Sequence, residues 1–235
     1  MRKRAAAVPV LMLIAVQAAN AASEWTEGTH YFRILPAQRT MVPEGKVEVA
    51  EAFSYGCPAC NSVLPVIEKL EASLPPVAQL TYVPASFNPR EQWPLFQRAY
   101  HTAKLLKIDK RTHLAMFDAV WGSGELAVVD RQTRRLINPP PDITDVARFY
   151  ARVTDVTEAE FLSTAKSFSV TLNMDRADQW IKDCHVDRTP SFVVNGKYRV
   201  HFASAGGTAD KLIELVNWLV ARESGAAAAA SKVSD

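Results

Sequence analysis

Two cysteines three residues apart, Cys57 and Cys60, stand where a strand-like run passes into a helix-like one. Val47 to Tyr55 mixes apolar and small side chains over the length of one strand. From Asn61 to Ser73 the apolar residues Val63, Leu64, Ile67 and Leu70 recur at helical spacing. Leu80 to Val83 reads as a further strand. Strand, helix and strand in that order favour a parallel pair joined by a right-handed crossover. A C-x-x-C at such a junction can hold a metal, staple a fold or exchange a disulfide, and the rest of the chain must decide which.

Local chemistry points to exchange. Pro58 is suited to the first helical position, where its missing N–H would be unsatisfied anyway. That places Cys57 near the N-cap, its sulfur facing free backbone N–H groups and the positive end of the helix dipole. A thiol reacts as thiolate, and this setting lowers its pKa. Cys60, one turn further, is within disulfide reach, so Cys57 is expected to be the accessible sulfur and Cys60 the more buried one.

Further along, Glu91 to Lys107, Lys110 to Trp121, Ile143 to Val153, Glu158 to Phe168 and Leu172 to Cys184 carry helix-spaced apolar residues. Thr157 followed three residues on by Glu160 reads as an N-cap with a capping box. Two β-rich runs then flank Asn195-Gly196, a strong hairpin signal. Thr208 to Arg222 closes as an amphipathic helix. The plan is α/β: βαβ over residues 22–88, a helical insert over 89–186, and ββα over 187–224. The long connection from Gly124 to Asp142, with Arg131, Arg134 and Arg135, reads as a solvated loop, and residues 225–235 as a disordered tail.

The first residues set the compartment. Met1 to Arg4 is basic, Val8 to Ala19 is mostly apolar, and Ala19-Asn20-Ala21 supplies small residues at a cleavage site, so residues 1–21 read as a signal peptide cut after Ala21. Losing Arg2, Lys3 and Arg4 leaves 24 of the 27 basic residues against 25 acidic ones. No basic field remains for nucleic acid or anionic lipid. Three cysteines are too few for a disulfide scaffold in an exported protein, and one close pair with one left over fits chemistry better than stapling.

Cys57-Pro58-Ala59-Cys60 after a strand, with Pro65 in the same helix, resembles the active-site helix of the thioredoxin fold. Thr189-Pro190 before a strand resembles that fold's cis-proline loop. Together with the helical insert and the export signal, these features resemble the DsbA family of periplasmic thiol:disulfide oxidoreductases over about residues 25 to 222. The resemblance implies a thioredoxin fold with an inserted helical domain, a monomer, and a redox-active Cys57–Cys60 disulfide with no other cofactor. Cys57 becomes the nucleophile that forms a mixed disulfide with a client, and Cys60 the resolving cysteine. Pro190 becomes cis, with Thr189 offering its backbone to an extended client. Glu51, six residues before Cys57, becomes the buried acid that exchanges a proton with Cys60. The implied partners are unfolded exported proteins and a quinone-linked membrane oxidase of DsbB type. Two departures stand out: Ala59 occupies a position that often carries histidine, and Thr81 stands where a lysine commonly partners the buried acid. Both imply an oxidant milder than the family's extreme.

Other readings compete. A zinc site would need Cys57, Cys60, Cys184 and His185, but adjacent Cys184 and His185 are poorly spaced as two ligands of one tetrahedral ion. Cys184 reads instead as a buried inert thiol. An isomerase would need a dimerisation module, and Glu24 to Gly45 is too short for one. A periplasmic reductase on the same scaffold, and a client-binding chaperone with an incidental disulfide, remain as alternatives. His30, His101, His113, His185 and His201 show neither metal nor catalytic spacing.

Overall fold

A computed structural model describes residues 24–231, with side chains through 225. The expected signal peptide and its cleavage site after Ala21 lie outside the described residues. A five-stranded sheet has the order β1-β5-β4-β2-β3. Its strands are β1 (Phe32–Arg33), β2 (Val47–Phe53), β3 (Ala78–Pro84), β4 (Ser191–Val194) and β5 (Tyr198–His201). β2 and β3 run parallel, joined through helix α1 (Pro58–Ser73), and the other neighbours are antiparallel.

β2 is buried along its whole length, because both faces of the sheet are covered. Val47 and Val49 pack into a cluster with Ile67 and Leu70 of α1 and with Leu212, Leu215 and Val216 of α7 (Ala209–Ser231). Ala50 and Ala52 point the other way, into a second cluster that holds Phe96, Phe149 and Ile181 of the helical block. Small residues on that face let helices approach the sheet closely. The strand that leads to Cys57 is thus clamped from both sides.

Five α-helices lie between β3 and β4: α2 (Trp93–Leu105), α3 (Asp109–Phe117), α4 (Ile143–Val153), α5 (Glu158–Ala165) and α6 (Phe168–Asp183). The boundary between α5 and α6 falls earlier than the apolar spacing implied. Ser167 caps α6 by accepting from the Val170 N–H, so the helix begins at Phe168. Thr157 caps α5 through the Glu160 N–H, but the reciprocal capping box forms at Asp142 and Asp145 of α4 instead. After α3 the chain widens into a π-helical turn, Asp118–Gly122.

The loop from 124 to 142 is better organised than its composition implied. Val129 bridges Leu136, Asp130 accepts from the backbone of Gln132 and Thr133, and Arg131 donates to the carbonyls of Trp121 and Gly122. Arg131 therefore closes the π-helical turn.

The hairpin forms at Asn195-Gly196, both with positive φ, 52° and 65°. A Cβ on Gly196 would lie 2.0 Å from the Gln38 carbonyl oxygen, so glycine is required there for contact as well as conformation. Glu223 of α7 accepts from Asn195 Nδ2 at 2.7 Å and Lys197 Nζ at 2.6 Å, pinning the turn. That corrects the expected end of the last helix. α7 runs past Arg222 to Ser231, because Glu223 is buried against the hairpin and the alanines at 226–230 are the strongest helix formers. Residues 225–231 of the expected disordered tail are helical.

Candidate active site

The loop between β2 and α1 is a tight turn held on every side. Cys57 N–H donates to the Ser54 carbonyl at 3.0 Å, and Gly56 N–H to Ser54 Oγ at 3.2 Å. A Cβ on Gly56 would meet the Trp93 ring at 2.8 Å, so the indole can lie directly against the backbone there. From the helical block, Trp121 Nε1 donates to the Tyr55 carbonyl at 2.7 Å. Tyr55 Oη is 3.0 Å from His113 Nδ1. These anchors fix where the helix starts.

Cys57 is the N-cap of α1, with extended backbone, and Pro58 occupies the first turn. Its Sγ accepts from the Cys60 N–H at 3.3 Å. Both cysteines are free thiols in this structure. The Cys57 thiol is brought down to about 6, chiefly by hydrogen bonding from the Cys60 thiol and further by Thr189 and the backbone N–H groups of Cys60 and Ala59, against the opposing effect of burial. Burial and the neighbouring Cys57 push Cys60 well above an ordinary thiol. The two sulfurs differ as the junction required, one poised as thiolate and one held as thiol.

Accessibility is narrower than expected. Cys60 is fully buried, but Cys57 too is only 4% exposed. The loop before β4 covers it: Cys57 Sγ lies 3.5 Å from the Thr189 carbonyl oxygen, and the Thr189–Pro190 peptide is cis. The structure thus brings Cys57, Cys60 and Thr189-Pro190 together. Cys184 ends α6, fully buried, and burial raises its thiol to about 12. Among the described residues no group of three or more His, Cys, Asp and Glu is placed to hold a metal ion.

Glu51 lies on β2 behind the pair, 3% exposed, and no hydrogen bond reaches its carboxyl among the described residues. Burial pushes its pKa up to about 8, with the Cys57 charge adding to the effect. Both protonation states are therefore accessible near neutrality.

These features belong to a known architecture. No family model matches the chain. It is 32% identical over 212 residues to the thiol:disulfide interchange protein DsbA of Pseudomonas syringae pv. tomato, covering 90% of this chain and 91% of that one. The chain belongs to the DsbA family. The DsbA of Pseudomonas aeruginosa is 30% identical over 206 residues, spanning 88% of this chain and 89% of that one. Its crystal structure superposes with a TM-score of 0.72 at 29% identity, covering 88% of this chain and 98% of that one. The oxidoreductase DsbA of Xylella fastidiosa superposes at 0.70 with 30% identity, over 83% and 95%. The fold is the thioredoxin fold of DsbA proteins with an inserted helical domain.

Against that family, Ala59 leaves no imidazole beside the pair, yet backbone N–H groups and the Cys60 thiol still depress the Cys57 pKa. Thr81 does not take the place of a partner for Glu51. The parallel register puts Tyr82 opposite Glu51, while Thr81 Oγ1 donates to Glu48 at 2.9 Å on the other face. A one-residue register difference moves a side chain across the sheet, which residue counting along β3 could not resolve. Sequence reasoning also missed Tyr55, Trp93, Trp121 and His113. Trp93, Trp121 and His113 act through tertiary contacts from the helical block, two of them onto Tyr55 of the loop, and no local pattern marks them.

Proposed function

We propose that this DsbA-family protein, a thiol:disulfide oxidoreductase, works as an oxidant that hands its Cys57–Cys60 disulfide to newly exported proteins in the periplasm. The observation that carries the reading is the asymmetry of the pair. Cys57 has its pKa lowered to about 6 at a helix N-terminus, and Cys60 is raised and buried behind it. A client thiolate attacks Cys57 Sγ, the Cys57–Cys60 bond breaks, and Cys60 leaves with the electron pair and takes a proton. A second client thiolate attacks the client sulfur of the mixed disulfide and releases Cys57 as thiolate. The client loses two electrons and the pair gains them. A low leaving-group pKa speeds the release.

Glu51, neutral or charged near pH 7, is the proton donor to Cys60 in that direction and its acceptor when the pair is reoxidised. Reoxidation falls to a quinone-linked membrane oxidase of DsbB type, in keeping with the family. Client recognition is assigned to the backbone at Thr189, beside Cys57, in strand-like pairing. Phe87, 42% exposed and packed at 5.7 Å between ring centroids on Trp93, which lies against Gly56, supplies apolar surface on the side of the β2–α1 turn. Among the described residues no helix is long and apolar enough to cross a membrane.

Replacing Cys60 with serine removes the group that resolves the mixed disulfide. The variant, mixed with an oxidised client peptide, is expected to accumulate a covalent adduct through Cys57, visible by non-reducing electrophoresis and mapped by mass spectrometry. Absence of that adduct, or an adduct through Cys184, would overturn the assignment of Cys57.

A further inference from the structure

On the face of the sheet away from α1, a cavity of about 330 Å³ opens between α2, α6 and the end of β3. Its walls are mostly apolar, formed by Met41, Val83, Pro84 and Ala177 with Tyr82 of β3. Its polar lining is one-sided. His101 and Lys104 come from α2, and Asn173, Arg176 and Trp180 from one face of α6, at i, i+3 and i+7. No acidic side chain lines it.

Two of these groups are left unsatisfied. His101 is 8% exposed, and its Nε2 is buried with no hydrogen-bond partner. Trp180 Nε1 is also buried without one. An indole N–H can only donate, and a buried donor without an acceptor is costly. At the rim, Lys104 and Arg176 are exposed and neither is ion-paired among the described residues. The Lys104 charge is felt inside: burial first, then Lys104, pushes His101 down to about 4. Glu48 is a nearby acid: its Oε1 accepts from Thr81 Oγ1 and the Met41 N–H, its Oε2 is buried without a hydrogen-bond partner, and burial raises its pKa against the opposing pull of the Lys104 charge.

We infer that this cavity is a binding site for a small organic carboxylate, whose oxygens accept from Trp180 Nε1 and His101 beneath the Lys104 and Arg176 charges while its apolar body lies against Met41, Val83 and Pro84. The volume is at the lower end of that of small-molecule sites, and few convergent polar groups in an apolar cleft is their usual composition. The site is separate from Cys57 and takes no part in thiol exchange.

Phenylacetate is the probe, titrated into the oxidised full-length mature chain and followed through the indole N–H resonances by NMR, with Trp180→Phe assigning the relevant signal. The Trp180 resonance is expected to move saturably at millimolar phenylacetate and not with phenylacetamide, which has the same shape without the charge. The Lys104→Met, Arg176→Met double variant is expected to bind at least about tenfold more weakly with an unchanged melting temperature. Trp180→Phe is expected to weaken binding, read from the His101 ring resonances, and to break no hydrogen bond within the protein, because the lost N–H has no protein partner. No saturable shift, an equal response to the amide, or undiminished binding by the double variant would each overturn the assignment.

Discussion

Replacing Cys57 with serine is expected to reduce oxidation of a dithiol client to the uncatalysed rate while leaving the fold intact. Every step of the exchange passes through Cys57 Sγ, and the remaining thiols cannot stand in. Cys60 is fully buried with its pKa driven well up, and Cys184 is fully buried and raised to about 12. A hydroxyl can keep the N-cap hydrogen bond to the Cys60 N–H that the sulfur now accepts, so α1 should start where it does now. The measurement is the rate of disulfide formation in a two-cysteine peptide, with suppression of aggregation of an unfolded client measured beside it. An oxidase loses the first. A chaperone with an incidental disulfide keeps all of its activity, which would sink the redox reading.

Glu51→Gln is expected to make the protein more stable and worse at its work. Glu51 has its pKa raised from 4.5 to about 8, mainly by burial. A raised carboxyl pKa means that the folded state favours the neutral form, so the wild type loses stability as pH climbs from 4.5 and stops losing it above about 8. Glutamine is neutral throughout. The stability difference between variant and wild type should therefore be small below pH 4.5, grow through neutrality by about 1.4 kcal/mol per pH unit towards roughly 5 kcal/mol, and level off above pH 8. Urea denaturation of the oxidised protein from pH 4 to 9 measures it, in a state where Cys57 carries no charge. In exchange, glutamine can neither give nor take the Cys60 proton, and reoxidation of the dithiol is expected to slow by about a hundredfold. An unchanged rate would remove Glu51 from the proton path, and a flat stability difference would mean that its carboxyl is solvated.

Much of this was legible in the chain, and the limits have physical causes. The Cys57 N-cap, the Pro58 start of α1 and the Asn195-Gly196 hairpin are set by near neighbours, so local rules reach them. The parallel β2–β3 pair follows from connection order alone. The sheet-edge strand Phe32–Arg33 is two residues long, too short for any alternation to register. The end of α7 was misread because Glu223 owes its place to Asn195 and Lys197, residues of the hairpin turn. The burial of Glu51 was expected, but its strand neighbour was not, since that depends on a register that sequence spacing leaves open. The Trp121 and His113 anchors depend on how the helical block docks, which is tertiary information throughout.

The most direct test of the central claim is the equilibrium reduction potential of the Cys57–Cys60 pair against glutathione at neutral pH. With Cys57 near 6, the reduced form is stabilised as thiolate, and each pKa unit below ambient pH is equivalent to about 30 mV of oxidising power. Without an imidazole at Ala59, the value is expected to be less oxidising than about −120 mV for a DsbA, and well above the value of about −270 mV for thioredoxin. A potential at or below thioredoxin's would contradict the account and make this protein a reductant on the same scaffold.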